Sequence, residues 1–96
     1  MLRLLLVTLA CVVLPAHAQD RAQQLGSACA ICHGTDGRGD GKVLPPLAGM
    51  LREHIASQMR AFRDGQRPAT VMHQIAKGYT DEQIDALAAY FAAQKR

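Results

Sequence analysis

The sequence predicts an all-α fold of about four helices, and three observations predict it. Apolar residues recur every three or four positions from Asp20, from Leu51 and from Thr80 onward, while no stretch alternates with the period of two that a half-buried strand needs. A run of five residues, Cys29-Ala30-Ile31-Cys32-His33, places two thiols and an imidazole within little more than one helical turn. The chain is also short. Of its 96 residues the first 18 read as a removed leader, which leaves 78, too few to bury a comfortable core without a staple, metal or cofactor.

The leader comes first. Arg3 gives a positive start, Leu4 to Leu14 is a largely apolar run, and Ala16-His17-Ala18 has the small-x-small pattern that precedes a cleavage point. Residues 1–18 are therefore expected to be a signal peptide and residues 19–96 a single domain. The run is well short of the roughly 20 residues that a spanning helix requires, so no permanent membrane anchor is expected. Cys11 lies inside the run, with Val12, Val13 and Leu14 still to follow, which makes lipidation there the weaker reading.

The mature chain divides into four helical pieces. Asp20 to His33 places Ala22, Leu25, Gly26 and Cys29 at helical spacing, and the four glycines among residues 34–41 demand a loop. In Leu51 to Asp64 the apolar positions are Leu51, Ile55, Met59 and Phe62, with Arg52, Arg60, Arg63 and Arg67 mostly on the other side, and Gly65 ends the helix. Pro68 suits the first turn of a short helix around Val71, Met72 and Ile75, and Gly78 its exit. Thr80 with Gln83 three residues on is a capping box, and Ile84, Leu87, Ala88 and Phe91 form one apolar stripe behind it.

The C-x-x-C-H run is the attachment signature of c-type haem. Cys29 and Cys32 can each add to a vinyl group on one porphyrin edge, and the imidazole of His33 then lies beneath the iron. A thioredoxin-like pair would want a βαβ setting and a zinc site two further ligands at short spacing, and neither pattern is present. One covalent haem c is therefore expected, acting also as the staple that so short a chain needs. Export fits this reading, because haem is attached outside the cytoplasmic membrane in bacteria, so a periplasmic location is expected. Losing Arg3 takes the formal charge from +3 to +2, which two haem propionates would nearly cancel, and nucleic acid is not an expected partner.

The sixth iron position decides between electron transfer and ligand chemistry. Met50, Met59, Met72, His54 and His73 are the mature chain's candidates. Met59 falls on the apolar stripe of its helix and reads as core, His54 reads as a surface or rim residue, and Met50 follows Gly49 in a turn near the haem loop. Met72 is far enough beyond His33 for the chain to wrap to the opposite haem face and is the best placed. His73 is its rival, but successive helical residues point about 100° apart, so the two cannot both face the iron without unwinding the turn.

Several segments carry a family resemblance: Cys29 to Gly34, Pro45-Pro46-Leu47-Ala48-Gly49, Ala61 to Met72, and Leu87-Ala88-Ala89-Tyr90-Phe91. Together they resemble the small class I cytochromes c of bacterial periplasms, and the stretch from Ala61 is most similar to the cytochrome subunit of flavocytochrome c sulfide dehydrogenase. The resemblance covers nearly all of the mature chain. It implies the class I fold around one covalent haem, with Cys29 and Cys32 as thioether positions, His33 as proximal ligand and Met72 as distal ligand. It also implies that Pro45 offers its carbonyl to the far nitrogen of His33, and that Arg67, or Arg63, meets a haem propionate. Many relatives of the sulfide-oxidising subunit carry two haem domains, and this chain has one attachment motif.

Three functions follow in order of preference. The first is a monohaem electron carrier that is not itself an enzyme, meeting periplasmic or membrane-bound redox proteins transiently through an apolar haem edge ringed by Ala30, Ile31, Val43 and Leu44. The second is a fixed subunit of a flavoprotein dehydrogenase such as sulfide dehydrogenase. The third, a haem enzyme or sensor, needs an open sixth position. The attachment motif lies at the start of the mature chain, unlike that of the four-helix ligand-binding cytochromes.

Overall fold

The computed structural model describes residues 16–96; most of the proposed leader, including Cys11, lies outside the described residues. Four α-helices run in order, α1 (Ala16–His33), α2 (Arg52–Arg63), α3 (Met72–Ala76) and α4 (Asp81–Ala92), with a 3-10 turn at Thr35–Gly37. No strand is found among the described residues. Helix α1 extends upstream of Asp20 as far as Ala16, the first described residue, with no helix breaker between Ala16 and Gln19. One helix start differs from the sequence reading. Pro68 lies ahead of α3 rather than in its first turn. The amides of Gln66 and Arg67 turn back to the Ala61 carbonyl, and the first bonds of α3 run to the Val71 carbonyl, from Gln74 at 2.9 Å and Ile75 at 3.2 Å.

Helix α4 is the centre of the fold and packs against both α1 and α2, while α3 rests on α2. Its capping box forms as expected: Thr80 Oγ1 accepts from the Gln83 amide at 3.2 Å, and Gln83 Oε1 accepts from the Thr80 amide at 3.0 Å. Asp81 and Glu82 add negative charge to the first turn, where the helix dipole favours it. The stripe Ile84, Leu87, Ala88 and Phe91 is buried, together with Ile55, Ala56 and Met59 of α2 and Ala76 of α3. Each fully buried Leu, Ile or Phe side chain is worth roughly 1.5–3 kcal/mol of transfer free energy.

Helix α1 meets α4 at Gly26. A Cβ there would lie 3.1 Å from Phe91 Cζ and 3.5 Å from Leu87 Cδ2, so glycine is what allows the two helices to approach. Ala22 is buried on the same face, Leu25 and Cys29 are packed against the core, and the Tyr79 hydroxyl donates to the Leu25 carbonyl at 3.3 Å. The crossing therefore fixes the end of α1, which carries the attachment motif, against the middle of the core.

On the outer side, arginines of α2 tie it to the start of α4. Arg60 reaches Asp85 at 2.8 Å and Asp81 at 3.3 Å, and Arg63 reaches Asp81 at 2.8 Å and Asp64 at 3.3 Å. Exposed pairs of this kind contribute little singly. Hydrogen bonds from Arg63 and then Arg60 hold the Asp81 carboxyl below its ordinary range. A carboxyl whose folded pKa is depressed contributes stability that is present above the unfolded value and is lost as pH falls through the folded one. In urea unfolding, Asp81→Asn should be less stable than the parent chain at pH 6, and the gap should close as pH falls below about 4. A gap that stays constant down to pH 2 would show that the carboxylate contributes nothing through its charge.

Candidate haem-binding site

The attachment motif occupies the last turn of α1, where helical spacing gives its side chains different surroundings. Cys29 is half-buried against the core and Cys32 is exposed; both are free thiols. Burial pushes the Cys29 thiol up from its ordinary pKa, while its backbone hydrogen bond acts in the opposite direction. His33, four residues beyond Cys29, is 8% exposed and is the only buried polar or charged side chain among the described residues.

Its Nδ1 lies 2.7 Å from the carbonyl oxygen of Pro45. A carbonyl only accepts, so Nδ1 carries the proton and donates it, leaving the lone pair of Nε2 available to a metal. The Pro45 carbonyl is presented by a closed loop. The Gly37 carbonyl accepts from the amides of Leu47 at 2.8 Å and Ala48 at 3.1 Å, and the Gly39 amide donates back to the His33 carbonyl at 2.7 Å. Gly37 has φ of +76°, and a Cβ there would be 2.9 Å from both Leu47 Cβ and Phe91 Cδ1, so nothing but glycine fits this junction. Beyond Pro45 the Gly49 amide donates to the Phe91 carbonyl at 2.9 Å. Both ends of the loop are thus held on α4 at Phe91.

The other expected residues fall in different places. Met72 opens α3, half-buried and packed against the core. Met59 is buried on the α2 stripe, as its spacing suggested, and His54 is exposed. Met50 is packed against the core and helps line a cavity of about 330 Å³ with Arg38, Gly39, Pro45, Pro46, Ala48 and Arg96. The Arg67 guanidinium lies 4.7 Å from the centre of the Phe62 ring and donates to Gln58 Oε1, and Arg63 is engaged with Asp64 and Asp81.

Two features are consistent with these residues holding a large, mostly apolar group such as haem. Among the described residues six large aliphatic side chains are exposed: Ile31 (87%), Val43 (91%), Leu44, Leu51 (74%), Val71 and Ile75. They belong to the attachment motif, the Pro45 loop and the starts of α2 and α3. A domain that can bury so few apolar residues would not leave these segments uncovered without a partner for them. In addition, His73 Nδ1 is buried without a hydrogen-bond partner, immediately after Met72. Buried polar atoms of that kind are rare in native proteins.

The sequence reading missed Asp36, Arg38 and Tyr90. Tyr90 Oη donates to Asp36 Oδ1 at 2.5 Å, and Arg38 donates to the Lys95 carbonyl at 2.8 Å and more weakly to Asp36 and Gln94. Asp36 has φ of +52°, the left-handed region, in the turn that follows His33. Its only signal in the sequence is an Asp among glycines, and nothing local links it to Tyr90.

Residues 16–91 match the family described as cytochrome c oxidase, cbb3-type, subunit III. Cytochrome c-554(548) of Halomonas halodenitrificans is 41% identical over 70 residues, covering 70% of this chain and 84% of that protein. The cytochrome subunit of sulfide dehydrogenase from Chlorobaculum tepidum is 42% identical over 73 residues, covering 76% of this chain and 66% of that one. The solved structure of Acidithiobacillus ferrooxidans cytochrome c4 superposes with a TM-score of 0.70 at 36% identity, covering 81% of this chain and 50% of that chain.

Proposed function

The chain belongs to the cytochrome c family, with the class I all-α fold and one covalent haem c, and from that premise we propose that it carries single electrons in the periplasm on an iron held between His33 and Met72. Cys29 and Cys32 are the attachment thiols. The bound haem supplies a one-electron iron couple. One observation carries the reading: His33 is buried on the turn that bears both thiols, with Nδ1 committed to Pro45 and Nε2 left free.

Each residue has a part in keeping electron transfer facile. Pro45 fixes the plane of the His33 ring and, by accepting from Nδ1, raises the donor strength of Nε2. Met72 offers a neutral sulfur, which favours the reduced iron and raises the potential. With His33 and Met72 both holding the iron, small ligands would be kept out and little would rearrange when the charge changes. Arg67 is the proposed propionate contact; to make it, the guanidinium would leave Gln58 Oε1 and the Phe62 ring. Ile31, Val43 and Leu44 offer an exposed apolar edge suited to small, short-lived redox encounters.

The location rests on residues 1–18 acting as an export signal. Among the described residues no helix is long and apolar enough to cross a membrane. Intact mass of the exported protein should correspond to a chain from Gln19 plus one haem; a lipid on Cys11, or a chain retaining its leader, would overturn the assignment. Similarity to the sulfide dehydrogenase subunit supports a second reading, a fixed cytochrome subunit of a flavoprotein. A flavoprotein that stays bound through size exclusion favours it over the free carrier.

Distal ligation is tested directly by substitution. Met72→Ala should abolish the weak near-infrared charge-transfer band of sulfur-ligated ferric haem, lower the potential and admit carbon monoxide to the reduced iron. Met59→Leu and His73→Ala should leave that band in place. Survival of the band in Met72→Ala, or its loss in His73→Ala or Met50→Leu, would show that another side chain holds the iron.

A further inference from the structure

The His33–Pro45 hydrogen bond depends on the placement of a loop that has little packing of its own. Val43 is 91% exposed, and Pro45 and Pro46 are exposed as well. What locates the Pro45 carbonyl is therefore the anchorage at the base of the loop, where the Gly37 carbonyl closes onto Leu47 and Ala48. Gly37 in turn follows Asp36, a residue with a side chain in the left-handed region. Asp tolerates that region better than most residues, but it is held there at a cost. Two interactions offset that cost: Asp36 accepts from Tyr90 Oη at 2.5 Å, and Arg38 lies 3.5 Å from its other oxygen.

We propose that Tyr90 is a positioning residue for the haem ligand: its hydroxyl fixes Asp36, Asp36 fixes the Gly37 junction, and that junction holds the Pro45 carbonyl on His33 Nδ1. The proposal rests on His33 being the proximal ligand. Tyr90 is well placed for the task. Its ring packs edge-on against Phe91, with centroids 5.2 Å apart, and Phe91 is the residue whose ring meets Gly37 and whose carbonyl receives the Gly49 amide. The pair Tyr90-Phe91 therefore contacts the loop from both sides of its closure, Phe91 through packing and Tyr90 through a charge-assisted hydrogen bond. In keeping with a committed donor, the bond to Asp36 raises the Tyr90 phenol above its ordinary pKa. Arg38 completes the arrangement by tying the same turn to the Lys95 carbonyl.

The effect on the iron has a definite sign. A strong acceptor at Nδ1 gives His33 more imidazolate character, which stabilises ferric iron and lowers the potential. Loosening the Pro45 carbonyl should do the reverse.

The test uses the haem-loaded chain and two readouts, the reduction potential and solvent exchange of the His33 Nδ1 proton followed by NMR. Tyr90→Phe keeps the ring on Phe91 and deletes only the hydroxyl. It should raise the potential and speed proton exchange about tenfold, the size expected when a hydrogen bond to a charged group is lost. Asp36→Asn keeps an oxygen acceptor and a side chain tolerant of the left-handed region, so it should remain close to the parent chain in both readouts, whereas Asp36→Ala should follow Tyr90→Phe. If Tyr90→Phe lowers only thermal stability, with exchange and potential unchanged, the hydroxyl is merely structural and the proposal fails. If the parent chain shows no iron-bound His33 at all, the ligand assignment itself fails and takes the proposal with it.

Discussion

A buried imidazole must satisfy one nitrogen within the protein before it can give the other to a metal, and the hydrogen bond from His33 Nδ1 to Pro45 meets that requirement here. Leaving such an atom unpaired would cost about 1–3 kcal/mol, a large share of the stability of so small a domain. The bond also selects the tautomer and orients the ring. Much of the chain between residues 33 and 49 can be understood as the means of bringing one carbonyl to one nitrogen. Four elements converge to do so: the end of α1, the 3-10 turn, the loop itself and the last turns of α4. Gly26 and Gly37 remove the atoms that would keep α1 and the loop from reaching Phe91.

The two sides of the site are supported unequally. On the His33 side, the loop is closed by backbone hydrogen bonds onto Gly37 and Phe91. On the Met72 side, α3 is five residues long, below the length at which a helix holds itself together. It is retained by Ala76, which is fully buried, and by Tyr79 bonded to α1. Val71 and Ile75 remain exposed. An iron–sulfur bond to Met72 would thus organise α3 as much as α3 organises the bond, whereas His33 is held by the Pro45 carbonyl within the chain itself. Such a division leaves the distal segment as the one with the lower local stability.

How much of this was legible in the sequence depended on the range of the interactions. The C-x-x-C-H run, the Thr80–Gln83 capping box and the stripes of α2 and α4 are local patterns, and each lies where its spacing places it. Met59 is core because its stripe is core. Helix α1 runs on upstream of Asp20 because no residue between Ala16 and Gln19 stops it, and a small-x-small pattern carries no conformational signal. Pro68 was misplaced because a proline permits a first turn without requiring one, and the carbonyls of Ala61 and Val71 decided the matter. The link between Asp36 and Tyr90 spans 54 positions and has no periodic signature, so only the folded chain reveals it. Resemblance supplied the role of Pro45, and the structure supplied the distance.

The central claim is that one iron is gripped between His33 and Met72, and the methionine methyl groups report on it most directly. The chain from Gln19 onward, the proposed mature form, contains three methionines, Met50, Met59 and Met72. In a carbon–proton correlation spectrum of the reduced, haem-loaded protein labelled at the methionine methyls, a sulfur bound to iron places its methyl over the face of the porphyrin. Ring current then displaces that signal far upfield. One strongly displaced methyl is expected, assigned to Met72 by its absence in Met72→Ala, with those of Met50 and Met59 at much smaller shifts. A displaced methyl belonging to Met50 or Met59, or no displaced methyl at all, would contradict ligation by Met72.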